Sequence, residues 1–239
     1  RPMLDLVNST ASLSDGDAIV DNYGTPEGLP SARALAAEIL GVKAENVVVS
    51  GSSSLNLMHD LVAHAFTNGV AGAEPFYRQG DVIWLCPSPG YDRHFKITED
   101  LGIKNVVVPM REDGPDMDLV QRLVEDDPKV KGIWCVPKYA NPTGVTYSDE
   151  VVRRFAALRP AACDFRIYWD NAYAVHCFGE KDDVLLNVFD ALAEADADNL
   201  VYEFGSTAKM TFPSSGIAFV AAGDEDIKRV RAAFAVERV

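Results

Sequence analysis

No apolar run in this sequence is long enough to cross a membrane as a helix, and no charged-then-apolar leader opens it. Cysteine is scarce: Cys86, Cys135, Cys163 and Cys177 stand singly, mostly inside apolar strand-like runs, with no Cys-x-x-Cys spacing. With no paired spacing to read, the expectation is buried free thiols in a reducing, cytoplasmic compartment. Positive charge is short as well. The 22 basic residues stand against 36 acidic ones, a formal charge of -14 with no compensating basic stripe. That balance argues against nucleic acid or an anionic membrane as partner, and an anionic ligand would need a local positive site. There is no tandem repeat and no low-complexity linker; Glu194–Asn199 reads as a solvated acidic turn.

What is present fits one large α/β domain. The 239 residues, 48% hydrophobic and 24% charged, suffice for a substantial core. The chain opens on Arg1, and its last stretch, Asp224–Val239, carries helical apolar spacing (Ile227, Val230, Ala233, Phe234) with no terminator. These ends predict a single domain, residues 1–239, cut from a longer protein.

The pattern along the chain alternates. A helix is predicted over Pro30–Leu40, closed by Gly41, then a β-branched strand, Asn46–Val49. Ser50-Gly51-Ser52-Ser53-Ser54 follows and opens a helix over Leu55–Phe66. A strand, a small-residue turn and a helix N-terminus together make an anion site, since unpaired N–H groups and the helix dipole point the same way. Strands then come at Val82–Cys86, Asn105–Val108, Gly132–Val136 and Arg166–Trp169, with helices near Arg93–Leu101, Met117–Val124 and Asp149–Leu158 between them. Continuous apolar strands separated by helices predict a mostly parallel, roughly seven-stranded sheet in a three-layer αβα sandwich. Leu200–Phe204 and Ile217–Ala221 read as an antiparallel edge hairpin.

In such a sheet ligands sit outside the carboxyl ends of the strands. That rule selects Ser50–Ser53, Tyr91, Asn141, Asp170 with Tyr173, and Ser206 with Lys209. The last pair lies in Gly205-Ser206-Thr207-Ala208-Lys209, where the glycine is expected to turn the chain and expose hydroxyl and amine together. Ser-x-x-Lys has two chemical precedents, a serine nucleophile with a lysine partner and a Schiff-base lysine whose serine binds a phosphate. The acyl-transfer reading also calls for Ser-x-Asn and Lys-Thr-Gly elements, which this sequence does not contain, and Thr211-Phe212-Pro213 opposes the helix it needs.

Ala140-Asn141-Pro142-Thr143-Gly144, Asp170-Asn171-Ala172-Tyr173 and Ser206-Thr207-Ala208-Lys209 together resemble, in order, the signatures of the class I aminotransferases, fold-type I pyridoxal phosphate enzymes. The resemblance spans the chain as the family's large, cofactor-binding domain. It implies transamination between an amino acid and a 2-oxo acid. Lys209 would be the Schiff-base lysine, Asp170 the carboxylate facing the pyridine nitrogen, and Asn141 and Tyr173 donors to the phenolate oxygen. Tyr91 corresponds to the aromatic stacked on the ring and His94 to the histidine that hydrogen-bonds Asp170. Ser52 and Ser53 amides and the Ser206 hydroxyl would take the phosphate. Tyr23 resembles the tyrosine that reaches the phosphate of a neighbouring subunit, which implies a homodimer.

One departure is plain. The family's arginine about eight residues beyond the lysine is missing, since Lys209 is followed by Met-Thr-Phe-Pro-Ser-Ser-Gly-Ile. Phosphate charge would then rest on Ser206, Ser214 or Ser215 and the helix dipole. This variant looks most similar to a divergent bacterial subgroup of aspartate aminotransferases, which suggests aspartate or another dicarboxylic amino acid as substrate. The resemblance also implies that the arginine gripping the substrate α-carboxylate would belong to a small domain outside this sequence. The alternatives are a regulatory domain that binds the cofactor without turnover, or another pyridoxal phosphate reaction on the same fold.

Overall fold

The computed structural model of the chain describes residues 14–15, 18–19, 25–180, 183–211 and 216–237. A two-residue antiparallel pair, β1 (Ser14–Asp15) and β2 (Ala18–Ile19), comes first. Then follow α1 (Pro30–Leu40), β3 (Val47–Val49), α2 (Ser54–Asn68), β4 (Ile83–Ser88), α3 (Asp92–Asp100), β5 (Lys104–Arg111) and β6 (Gly114–Pro115). The second half contains α4 (Met117–Asp126), β7 (Val130–Cys135), α5 (Asp149–Ala156), β8 (Arg166–Asp170), α6 (Val188–Glu194), β9 (Val201–Ser206), β10 (Ala218–Ala222) and α7 (Asp224–Glu237).

The main sheet has eight strands in the order β3-β10-β9-β8-β7-β4-β5-β6. From β9 to β5 neighbours are parallel, while β10 runs against both β9 and β3, and the two-residue β6 runs against β5. The mostly parallel αβα sandwich is therefore as expected, with β6 the strand beyond seven. The edge hairpin is corrected: β9 and β10 do pair, but β10 lies inside the sheet. Val47–Val49, three buried β-branched residues, lie along its outer side with Phe219 opposite Val49 and Ala221 opposite Val47.

Strand alternation divides the core between the two faces. On one face Trp84, Trp134, Tyr168, Tyr202 and Phe204 pack against α2, α3 and α7. On the other Ile133, Cys135, Ile167, Trp169 and Val201 meet α4, α5 and α6, and α1 covers Val47, Val49, Phe219 and Ala221.

Local chemistry accounts for the helix ends. Proline enters α1 at its first turn, and Gly41 closes it at φ 67, in the left-handed region. Asn187 caps the short α6 by accepting the Phe189 N–H at 2.8 Å, and its amide donates to Leu40 O at 2.9 Å, tying α6 to α1. Arg166, buried on β8, donates from two nitrogens to the carboxylate of Asp226 and so fastens α7 to the sheet. The cysteine expectation holds for half: Cys86 and Cys135 are buried, and burial pushes the Cys86 thiol up to about 12. Cys163 and Cys177 are exposed because they stand in loops after α5 and β8 rather than in strands. No helix among the described residues is long and apolar enough to cross a membrane.

Candidate active site

Asp170 is the last residue of β8, a strand buried along its whole length. Its Oδ2 lies 3.0 Å from Nε2 of His94, so the imidazole N–H donates to the carboxylate. His94 is itself immobilised. It stands in the first turn of α3, lies nearly parallel to Trp134 with centroids 4.9 Å apart, and meets Tyr91 edge-on at 5.1 Å. The structure thus brings together Tyr91, His94 and Asp170, and it adds Trp134, which sequence reading missed. Trp134 sits inside an unbroken apolar run, where an aromatic carries no mark distinguishing support of a site from plain core.

The other oxygen of Asp170, Oδ1, is buried and has no hydrogen-bond partner among the described residues. A buried carboxylate oxygen left so is costly unless a donor meets it, and a cationic N–H is the donor that suits it best. Asn141 lines the same hollow as Tyr91, His94 and Trp134. The site therefore sets a buried carboxylate against a histidine packed between two aromatic rings.

β9 runs parallel to β8, with Phe204 opposite Asp170, and it ends at Ser206 in the next position along the rim. Beyond it the chain makes a tight turn. Thr207 O accepts the N–H of Met210 at 3.0 Å and of Thr211 at 2.8 Å, and Thr207 Oγ1 accepts the Ile217 N–H at 2.9 Å. Lys209 projects from this turn, exposed, with Nζ 3.9 Å from the ring centroid of Tyr173. Two expectations are corrected here. Ser206 is buried rather than exposed beside Lys209, because it is still in the strand. Gly205 is also a strand residue, and its role is space: a Cβ there would lie 2.4 Å from the Phe219 ring across the ladder. The close approach at the turn is at Gly216, where a Cβ would stand 2.8 Å from Ala208 N.

Lys138, three residues before Asn141 and the nearest alternative to Lys209 as the reactive amine, is buried, donates to Ala174 O at 3.3 Å and lies 5.5 Å from the Tyr139 ring centroid. Tyr173 belongs to an aromatic group with Tyr139, His176 and Phe178, at centroid distances of 6.4, 5.4 and 6.3 Å.

On the far side of β10, Ser50 N–H donates to Ala218 O and Ala218 N–H to Gly51 O, both at 2.9 Å, which fastens the serine loop to the sheet. Gly51 has φ 65, a conformation that suits glycine. Ser53 is the N-cap of α2, and no side chain caps that end. Ser52 and Ser53 line a hollow there with Asn56 and His59. Uncapped amides at a helix start form an anion cradle. Tyr23, Ser214 and Ser215 lie outside the described residues. Among the described residues no cluster of His, Cys, Asp or Glu is arranged to hold a metal ion.

A family model described as aspartate amino-transferase matches residues 1–238. The chain belongs to the aspartate aminotransferase family. A Mycolicibacterium smegmatis protein with a provisional aminotransferase name is 47% identical over 234 residues, covering 94% of this chain and 55% of that protein. The structure of a Corynebacterium glutamicum aspartate transaminase superposes with a TM-score of 0.93 at 37% identity, covering 99% of this chain and 56% of that one. An alpha-aminoadipate aminotransferase from Thermus thermophilus, solved with N-(5'-phosphopyridoxyl)-L-leucine, gives a TM-score of 0.71 at 25% identity, over 90% of this chain and 51% of that one. The chain spans about half the length of these family relatives.

Proposed function

We propose that this chain is the pyridoxal phosphate-binding domain of a homodimeric aminotransferase. The full protein would move the amino group of aspartate, or a similar dicarboxylic amino acid, to a 2-oxo acid such as 2-oxoglutarate. One observation carries the reading: a buried aspartate oxygen without a partner among the described residues, its twin held by histidine, at the strand end beside the one that presents a lysine. A protonated pyridine nitrogen would satisfy that oxygen. The phosphopyridoxyl ligand of the Thermus relative and the aspartate transaminase name of the Corynebacterium relative support the choice of cofactor and substrate.

Pyridoxal phosphate, when bound, supplies an electron sink for the bond broken at the substrate's α-carbon. Asp170 would keep the ring nitrogen protonated, and His94 fixes the carboxylate's direction. Lys209 Nζ would hold the cofactor by its aldehyde group, and as a free amine it would be placed to move a proton at the substrate's α-carbon. The Tyr173 ring, its centroid 3.9 Å from Nζ, limits where the amine can travel. Asn141 and Tyr173 would donate to the phenolate oxygen, and Tyr91 would cover the ring. The α2 amides at Ser52 and Ser53, with the Ser206 hydroxyl, would receive the phosphate, joined by Tyr23 of a second subunit.

The test is the absorbance of the full-length protein with cofactor, before and after aspartate or glutamate is added. Loss of the visible band with a rise of the near-ultraviolet band of the aminated cofactor is expected. A visible band that no amino acid changes would overturn transamination and leave a cofactor-binding regulatory domain.

A further inference from the structure

A second buried carboxyl lies one strand away from Asp170, and the chemistry above gives it no part. Glu203 of β9 is 3% exposed and sits between Trp169 of β8 and Ala221 of β10 in the ladder. Its Oε1 accepts a hydrogen bond from Asn171 Nδ2 at 2.9 Å. Asn171 directly follows Asp170, and its backbone N–H points to Phe204 O at 2.9 Å and Trp169 O at 3.1 Å. Alternation sends the two neighbours to opposite faces of the sheet. Asp170 points to the α3 side, where His94 holds it; Asn171 lies on the other, where Glu203 holds it.

We propose that Glu203 is a positioning residue for Asp170: through Asn171 it pins the end of β8 and so sets the direction of the Asp170 oxygen that meets the cofactor's ring nitrogen. The inference rests on the cofactor reading given above. An apolar side chain would fill the Glu203 site at less cost, since a buried carboxyl loses its hydration. Burial pushes Glu203 up to about 8, against the smaller opposing effect of Asn171, so the acid is mostly uncharged at neutral pH. In that form acid and amide are complementary. The acid carbonyl accepts from Asn171, and the acid O–H seeks an acceptor, while Glu203 Oε2 and Asn171 Oδ1 are both buried without partners among the described residues. Glu38 of α1 and Lys138 are the charged side chains that line the same hollow, with Asn187 of the α6 cap; β10 contributes only Ala221 beside Glu203.

The experiment loads the full-length protein with pyridoxal phosphate carrying 15N in the ring. It compares wild type with Glu203→Gln, Glu203→Leu and Asn171→Ala. In the Leu and Ala variants the ring-nitrogen resonance should move toward that of the unprotonated pyridine, and kcat should fall on the order of 10- to 100-fold with KM little changed. Glu203→Gln keeps an acceptor and a donor and should restore both readouts. Wild-type resonance and kcat in Glu203→Leu would overturn the proposal; should that variant not fold, the same result in Asn171→Ala overturns it. A wild-type protein that takes up no cofactor overturns the reading beneath it, and that outcome is visible before any variant is made.

Discussion

The carboxyl ends of β8 and β9 stand side by side at one rim of the sheet and are built in opposite ways. At the end of β8, Asp170 is buried, gripped by a histidine that is wedged between Trp134 and Tyr91, and backed by Asn171 and Glu203. At the end of β9, Lys209 is exposed on a turn with a tyrosine ring beneath its amine. The difference fits the two jobs proposed for these residues. A fixed charge stabilises a developing charge only if it is already oriented, so freedom at Asp170 would be lost rate. An amine that must exchange one covalent partner for another and then carry a proton needs reach, so rigidity at Lys209 would be lost rate.

The sharpest way to break this contrast is to remove the exposed member. Lys209→Ala in the full-length protein should lower steady-state transamination by ~10³-fold or more, because both the covalent hold and the proton carrier are gone. The rigid member comes next. Asp170→Asn should retain bound cofactor, seen in the visible spectrum, while kcat falls ~10²- to 10³-fold, since an amide does not keep the ring nitrogen protonated. Near-normal turnover in Asp170→Asn would mean that the ring nitrogen has another partner.

The remaining tests sharpen the account of what lies behind each strand end. Glu203 holds its proton in the folded chain up to about pH 8 but releases it near its ordinary 4.5 when unfolded. Its contribution to stability is therefore fully present below about pH 4.5, declines as pH rises toward 8 and is gone above it. Thermal unfolding of wild type minus that of Glu203→Gln should drop by several degrees across that window, and a flat difference would contradict an acid kept uncharged by burial. Behind Lys209, Gly205→Ala should cost about 1–2 kcal/mol in chemical denaturation, since the added methyl meets the Phe219 ring.

Much of this was legible beforehand because local signals and tertiary structure agree. Pro30 and Gly41 bracket α1 as read, and strand-end chemistry at Asp170, Tyr173 and Lys209 falls on one rim because parallel strands all deliver their ends there. What was not legible is lateral. Which strand lies beside β10 depends on pairing with Val47–Val49, some 170 residues earlier by ~chain separation, and no local pattern in Ala218–Ala222 tells an inner strand from an edge. The same holds for Glu203 and Ser206. A glutamate within Val201–Ser206 carries no local mark of its surroundings, and only the neighbouring Asn171 and the covering α1 and α6 show it to be interior. The α6 helix was missed because seven residues give too short a period to recognise, and its cap is completed by Leu40 of a distant helix.

Borohydride reduction of the cofactor-loaded full-length protein, followed by peptide mapping, addresses the central claim most directly, because it asks which amine the site uses. The account predicts the label on Lys209, the exposed amine above Tyr173. Label on Lys138, buried against Ala174 O, would contradict it.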